Sequence, residues 1–137
     1  MARLRFFFDH GAGGCLWAGD AATRDSLGPG PVDAGVFDGE GLPVTLPRLE
    51  LSDAARALRD RLEREHCTYL NPLYPSDPSL WSAARCRRFN AAVDALVAML
   101  RRELGPRFEI DDEQERYRED PRLAAYLAEN PNLAPLP

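Results

Sequence analysis

The sequence predicts a single α+β domain: a small, mainly antiparallel sheet, made of an N-terminal hairpin and a strand near 107–111, packed on two long helices. Three observations predict it. Leu4, Phe6 and Phe8 alternate with Arg3, Arg5 and Asp9, the period of a strand with one apolar face. Behind Ser52, the residues Leu51, Ala55, Leu58, Leu62, His66 and Tyr69 recur at helical spacing. Behind Ser82, a longer stripe runs through Cys86, Phe89, Val93, Leu96, Val97, Leu100 and Leu104. A chain of 137 residues can build one substantial core, not two.

The hairpin comes first. Its second strand begins at Cys15-Leu16-Trp17-Ala18, after the loop Asp9-His10-Gly11-Ala12-Gly13-Gly14. Glycines take positive φ at little cost and Asp9 can bond the backbone ahead, so the loop is longer than the minimal two residues. Phe7 breaks the alternation, which predicts a covered patch on the second face. Asp20 caps a short helix, Ala21 to Leu27, stopped by Gly28-Pro29-Gly30-Pro31. Val36-Phe37 and residues 42–46 make a marginal strand pair, with Pro43 marking an edge.

Ser52 and Asp53 open the first long helix, which runs to about Cys67. Arg56, Arg59, Asp60, Glu63 and Arg64 take its polar side, and His66 reads as a hydrogen-bonded imidazole at the edge of the core. Prolines then forbid a helix across Thr68 to Trp81, although this connector carries Tyr69, Leu70, Leu73, Tyr74, Leu80 and Trp81. Loops this long and aromatic are often functional; the competing reading, which the proline spacing favours, is that these side chains fold back as a rigid lid over the helices. Ser82 caps the longest helix, with Trp81 placed to staple onto Cys86. Gly105-Pro106 ends it, with a left-handed cap expected at the glycine. Residues 107–110 alternate as a strand. Asp111 to Glu115 reads as a solvated acidic exit, Asp120-Pro121 opens a last helix, and residues 128–137 form a loose or late-docking tail.

Composition excludes several function classes. The formal net charge is −5 and there is no basic block, so no nucleic-acid partner is expected. No apolar run approaches membrane-spanning length, and no membrane partner is expected. The basic side chains are arginines with two histidines, which, with abundant Ala, Pro and Gly, suggests a bacterial genome rich in G and C. Three cysteines without paired spacing predict free thiols in a reducing cytoplasm. No metal is expected, because His10, Cys15, His66, Cys67 and Cys86 lack zinc-site spacing. No cofactor is implied.

A thiol after a glycine-rich bend is a candidate nucleophile. Cys15 with His10 or His66 as base, and backbone N–H groups as an oxyanion hole, would make a thiol-dependent enzyme. The competing reading is a small buried strand residue beside a structural turn with His10 at the surface, and it is favoured because Cys is among the most buried residue types, while reactivity needs a lowered pKa that a sequence does not display. A weaker expectation is a ligand pocket rimmed by Asp9, Trp17 and Asn90.

The phrases FFFDHGAGGCLW, LNPLYPSDPSLWS followed by RFN, and ELGPRFEIDDEQ resemble a group of small single-domain bacterial proteins of unassigned function with an FFxDxGxGGCLW-type hairpin. The resemblance covers residues 3–115. It departs at Pro72, where the group has Trp, and at 43–51, which is longer here. It implies one domain and the same element order, and supplies no activity, cofactor or catalytic residue.

The functional expectation is a small acidic protein-binding module, an immunity- or inhibitor-type partner protein. Tyr69, Tyr74 and Trp81 would anchor the partner, and the acidic stretch Asp111 to Glu115, Asp111 and Asp112 in particular, would steer a basic surface toward them. The sequence leaves the oligomeric state open.

Overall fold

The computed structural model describes residues 1–137, apart from the side chains of Val36 and Phe37. In chain order the elements are β1 (Ala2–Phe6), β2 (Leu16–Ala18), α1 (Ala21–Leu27), β3 (Val36–Phe37), β4 (Pro43–Thr45), α2 (Asp53–His66), α3 (Ala83–Leu104), β5 (Phe108–Asp112) and α4 (Leu123–Glu129). Side-chain caps fix three of the helix starts. Asp20 accepts from the Thr23 N–H at 2.8 Å, Ser52 from Ala55 at 3.2 Å and Ser82 from Arg85 at 3.1 Å.

The fold is α+β, but the sheet is mixed rather than mainly antiparallel. Its order is β2-β1-β5. β2 returns beside β1 as a hairpin, with Leu4 opposite Ala18 and Phe6 opposite Leu16. β5 lies parallel to β1, with Ala2 opposite Phe108 and Phe6 opposite Asp112. A parallel neighbour needs a crossover, and α3 supplies it by carrying the chain back before β5 begins. Local alternation in 107–110 specifies a strand but not its direction.

Leu4, Phe6, Phe8, Leu16 and Ile110 are buried from the sheet side, and Phe89, Val93, Leu96, Val97, Leu100 and Leu104 from α3. Ala55 and Leu62 of α2 complete the same core. The opposite sheet face is an ionic ladder. Arg3 reaches Glu109 at 3.1 Å and Asp111 at 2.8 Å, and Arg5 holds Glu113 at 2.8 and 3.0 Å. Phe7, just past the end of β1, stacks flat on Trp17, 4.9 Å between centroids. The sheet's outer edges are engaged: Arg101 donates to the Ile110 carbonyl at 3.0 Å, and the Val32 N–H to the Leu16 carbonyl at 2.8 Å.

One terminal expectation changes. Gly105 is right-handed, with φ −52° and ψ −36°, not a left-handed cap. The chain instead turns through an Arg107 N–H to Leu104 carbonyl bond of 2.9 Å. The tail is seated: Leu136 bridges Trp81, its carbonyl accepts from the Ser82 N–H at 2.9 Å, and its own N–H donates to the Leu80 carbonyl at 2.6 Å. Among the described residues, no helix is long and apolar enough to cross a membrane.

Candidate functional site

The glycine bend closes over a buried carboxylate. Asp33 has a side chain with no exposed surface and accepts from the Cys15 N–H at 3.1 Å and the Leu16 N–H at 2.9 Å. From α2, Arg59 donates to the Asp33 carboxylate at 3.2 Å and to its carbonyl at 2.7 Å. Burial opposes the Arg59 charge, but the Asp60 hydrogen bond and the Asp33 carboxylate outweigh it and hold the guanidinium above its usual pKa. Glu63, one turn on, accepts from the Gly13 N–H. A side chain at Gly14 would place its Cβ 2.6 Å from the Asp33 carboxylate, so only glycine lets the bend pass this close.

This arrangement fills the place an oxyanion would need. The two N–H groups that would form the hole already bind Asp33. The Cys15 sulfur is buried, 3.6 Å from that carboxylate, and burial first and the Asp33 charge second push the thiol well above its ordinary value. The nucleophilic thiolate is therefore disfavoured. The charges acting on the sulfur are Asp33, Arg59 and Glu63. His10 is exposed, and His66 belongs to a different cluster. The geometry does not assemble Cys15 with either imidazole as a catalytic pair.

That second cluster is aromatic. His66 lies among Phe8, Phe89 and Tyr117, with ring centroids 5.8 to 6.2 Å away. Its Nε2 is 3.1 Å from the Tyr117 hydroxyl, and burial holds the imidazole below its usual pKa. Burial also pushes the Tyr117 phenol up to about 12, with the Glu115 charge adding to the shift. Asn90 is engaged inside the chain. Its amide pairs with the Tyr117 backbone, donating at 2.7 Å and accepting at 2.9 Å, and so fixes the extended chain after β5 onto α3. Gln114, also buried, accepts from the Phe8 N–H at 2.8 Å and ties that chain to β1.

The connector between α2 and α3 is ordered by one side chain. Buried Asn71 donates to the Pro78 carbonyl at 2.8 Å and accepts from the N–H groups of Leu73 at 2.9 Å and Tyr74 at 3.2 Å. An Asp77 N–H to Tyr74 carbonyl bond of 3.0 Å closes the next turn. On this frame Leu70 is 46%, Leu73 62% and Tyr74 68% exposed. Leu42, Val44 and Leu46 are exposed to a similar degree, so what marks the connector is that its exposed side chains stand on a backbone bonded to Asn71.

The expected anchors divide accordingly. Tyr74 is on the surface. Tyr69 is half-buried and stacks on Tyr117 at 4.0 Å. Trp81 has no exposed surface, contacts Phe89 at 5.0 Å between centroids, and donates its indole N–H to the Thr68 hydroxyl at 3.0 Å. It supports the connector from below and cannot touch a partner. The expected steering acids are also engaged inside the chain: Asp111 by Arg3 at 2.8 Å and Asp112 by Arg116 at 2.6 Å. Leu70, Leu73 and Asn71 complete the site without having been singled out as anchors from the sequence. The Asn-Pro step at 71–72 is the signal that marks a side-chain-closed turn there.

Among the described residues, no three His, Cys, Asp or Glu side chains group as a metal site. A hollow of 430 Å³ between α1 and the start of β5 is lined by none of the connector or bend residues. No family model, curated protein or solved structure matches this chain.

Proposed function

We propose that this chain is a small acidic protein-binding module, of the immunity or inhibitor kind, that engages its partner through the connector between α2 and α3. The observation that carries the reading is the exposure of Leu70, Leu73 and Tyr74 on a backbone fixed by Asn71. An ordered loop presents apolar area with little entropy left to lose, which is what makes a contact surface efficient. Tyr69 and Trp81 form the bed, and Tyr74 with the two leucines makes the contact. The net charge of −5 favours encounter with a basic partner.

Leu73→Ala and Tyr74→Ala provide the test. Both side chains are exposed, so the double variant should keep its stability to within about 0.5 kcal/mol per site. Anchors at the centre of an interface are worth about 2 kcal/mol or more, so binding should fall by at least about tenfold. Affinity capture from the native host, with wild type and double variant side by side, reads this. A stoichiometric partner held by wild type and lost by the variant is the expected result. A partner held equally by both, or none held by wild type, contradicts the reading.

A further inference from the structure

Beside the connector patch lie three adjoining hollows. One of 130 Å³ has Leu70 in its wall and shares Tyr69 and Asp120 with a second, of 550 Å³. The second shares Glu115 and Tyr117 with a third, of 310 Å³, that ends against Phe7 and Phe8 of the hairpin. The shared residues set them side by side as a shallow groove that runs from Leu70 of the connector past the stacked Tyr69 and Tyr117 rings to Phe7 and Phe8.

The charges along it do not cancel. Arg5 is spent on Glu113, Arg122 on Asp120, and Arg116 on Asp94 and Asp112, which lie outside the walls. Among the described residues, Asp77, Glu115 and Glu119 in the walls have no cation within salt-bridge distance, against Arg118 alone on the positive side. Glu115 stands apart even from these. The three acids before it that face cations, Asp111, Asp112 and Glu113, are each held by an arginine of this chain. Glu115 has no side-chain hydrogen bond, and it belongs to the wall of both larger hollows beside Tyr117.

We infer that this groove receives an extended basic segment of the partner protein, with an arginine side chain set against Glu115 between the two larger hollows. This rests on the contact reading above, since the groove continues the Leu70 end of the proposed surface. It also returns the role expected of the acidic stretch to one residue of it. The lining is mostly charged and polar, but an arginine stem can lie along the Tyr69 and Tyr117 rings while its guanidinium finds a carboxylate. Glu115 supplies that carboxylate without breaking any internal pair.

The test needs no partner. The full chain, labelled with ¹⁵N, is titrated with acetyl-Gly-Arg-Gly-amide and, in parallel, with its neutral citrulline analogue, while the backbone amide signals are followed. The expected result is a saturable shift centred on Gln114, Glu115 and Tyr117 for the arginine peptide alone. Glu115→Gln should weaken it at least about fivefold with an unchanged melting temperature, because Glu115 holds nothing in the fold. Equal binding of the citrulline peptide, shifts spread over all surface acids, no saturable shift, or full binding by the Gln variant would overturn the inference. None of these outcomes depends on Leu73 or Tyr74. Capture that fails while the titration succeeds condemns the contact reading, and the reverse condemns only the arginine site.

Discussion

Replacing Asp33 with alanine will cost the fold about 3–5 kcal/mol, the loss expected when one member of a buried ion pair is removed. The substitution strands the Cys15 and Leu16 N–H groups without an acceptor and leaves Arg59 facing an empty site. Arg59 keeps Asp60 and the residue-33 carbonyl, which limits the damage on its side. For a domain of this size that loss corresponds to a fall in melting temperature of roughly 10–20 °C. Asp33→Asn should cost less, because one amide oxygen can still accept from Leu16. Thermal melts followed by circular dichroism read both. The same variants report on Cys15. In wild type, half-exposed Cys67 should be alkylated first, with Cys15 following only as the fold opens, and in Asp33→Ala the Cys15 rate should rise with the unfolded population. An Asp33→Ala protein that melts within a few degrees of wild type would show that the bend does not depend on this carboxylate.

Trp81→Ala is the second large effect, at about 3–5 kcal/mol. The indole has no exposed surface and is held among Phe89, Tyr69 and Tyr117, at 5.0, 5.2 and 5.7 Å between centroids. Removing it opens a cavity where α3, the connector and the extended chain after β5 meet, and the adjacent Leu136 bridge loses its support. Trp81→Phe should recover much of the loss. Trp81 differs from Tyr74 in what each change disturbs. Trp81→Ala lowers stability, and Trp81→Phe should leave partner binding intact at temperatures where it is folded. Tyr74→Ala should do the opposite, sparing the melt and removing the contact. A Trp81→Ala protein as stable as wild type would mean that the connector is not built on this ring.

Most element positions were legible because they depend on local signals: period two in Leu4-Phe6-Phe8, the Ser52 and Ser82 caps, and the long stripe of α3. Strand direction was not, since the pairing of β5 with β1 is decided by the crossover and not by 107–110 itself. Arg59 was placed on the polar side of α2 because of its charge. Its position says otherwise: it lies four residues after buried Ala55 and three before buried Leu62, within the inward stripe. A charge at such a position implies a buried counter-ion, but the partner, Asp33, is 26 residues away in an irregular segment, and no period points to it. Tyr117 and Gln114 were missed for a similar reason. They lie in extended chain with no repeat, and their roles come from contacts with Asn90, His66 and Phe8. The aromatic content of the connector marked the candidate surface, but not which side chains face outward. Trp81, the largest, turned inward with Leu80, where it buries the most area, and Leu70 and Leu73 were left outside.

The whole reading requires that the connector holds its shape before anything binds it, and amide hydrogen exchange on the free protein measures this directly. The Leu73 and Tyr74 N–H groups, both bonded to Asn71, should exchange at least about tenfold more slowly than in an unstructured chain, and Asn71→Ala should abolish that protection. Exchange of these two amides at the unstructured rate in wild type would contradict the account.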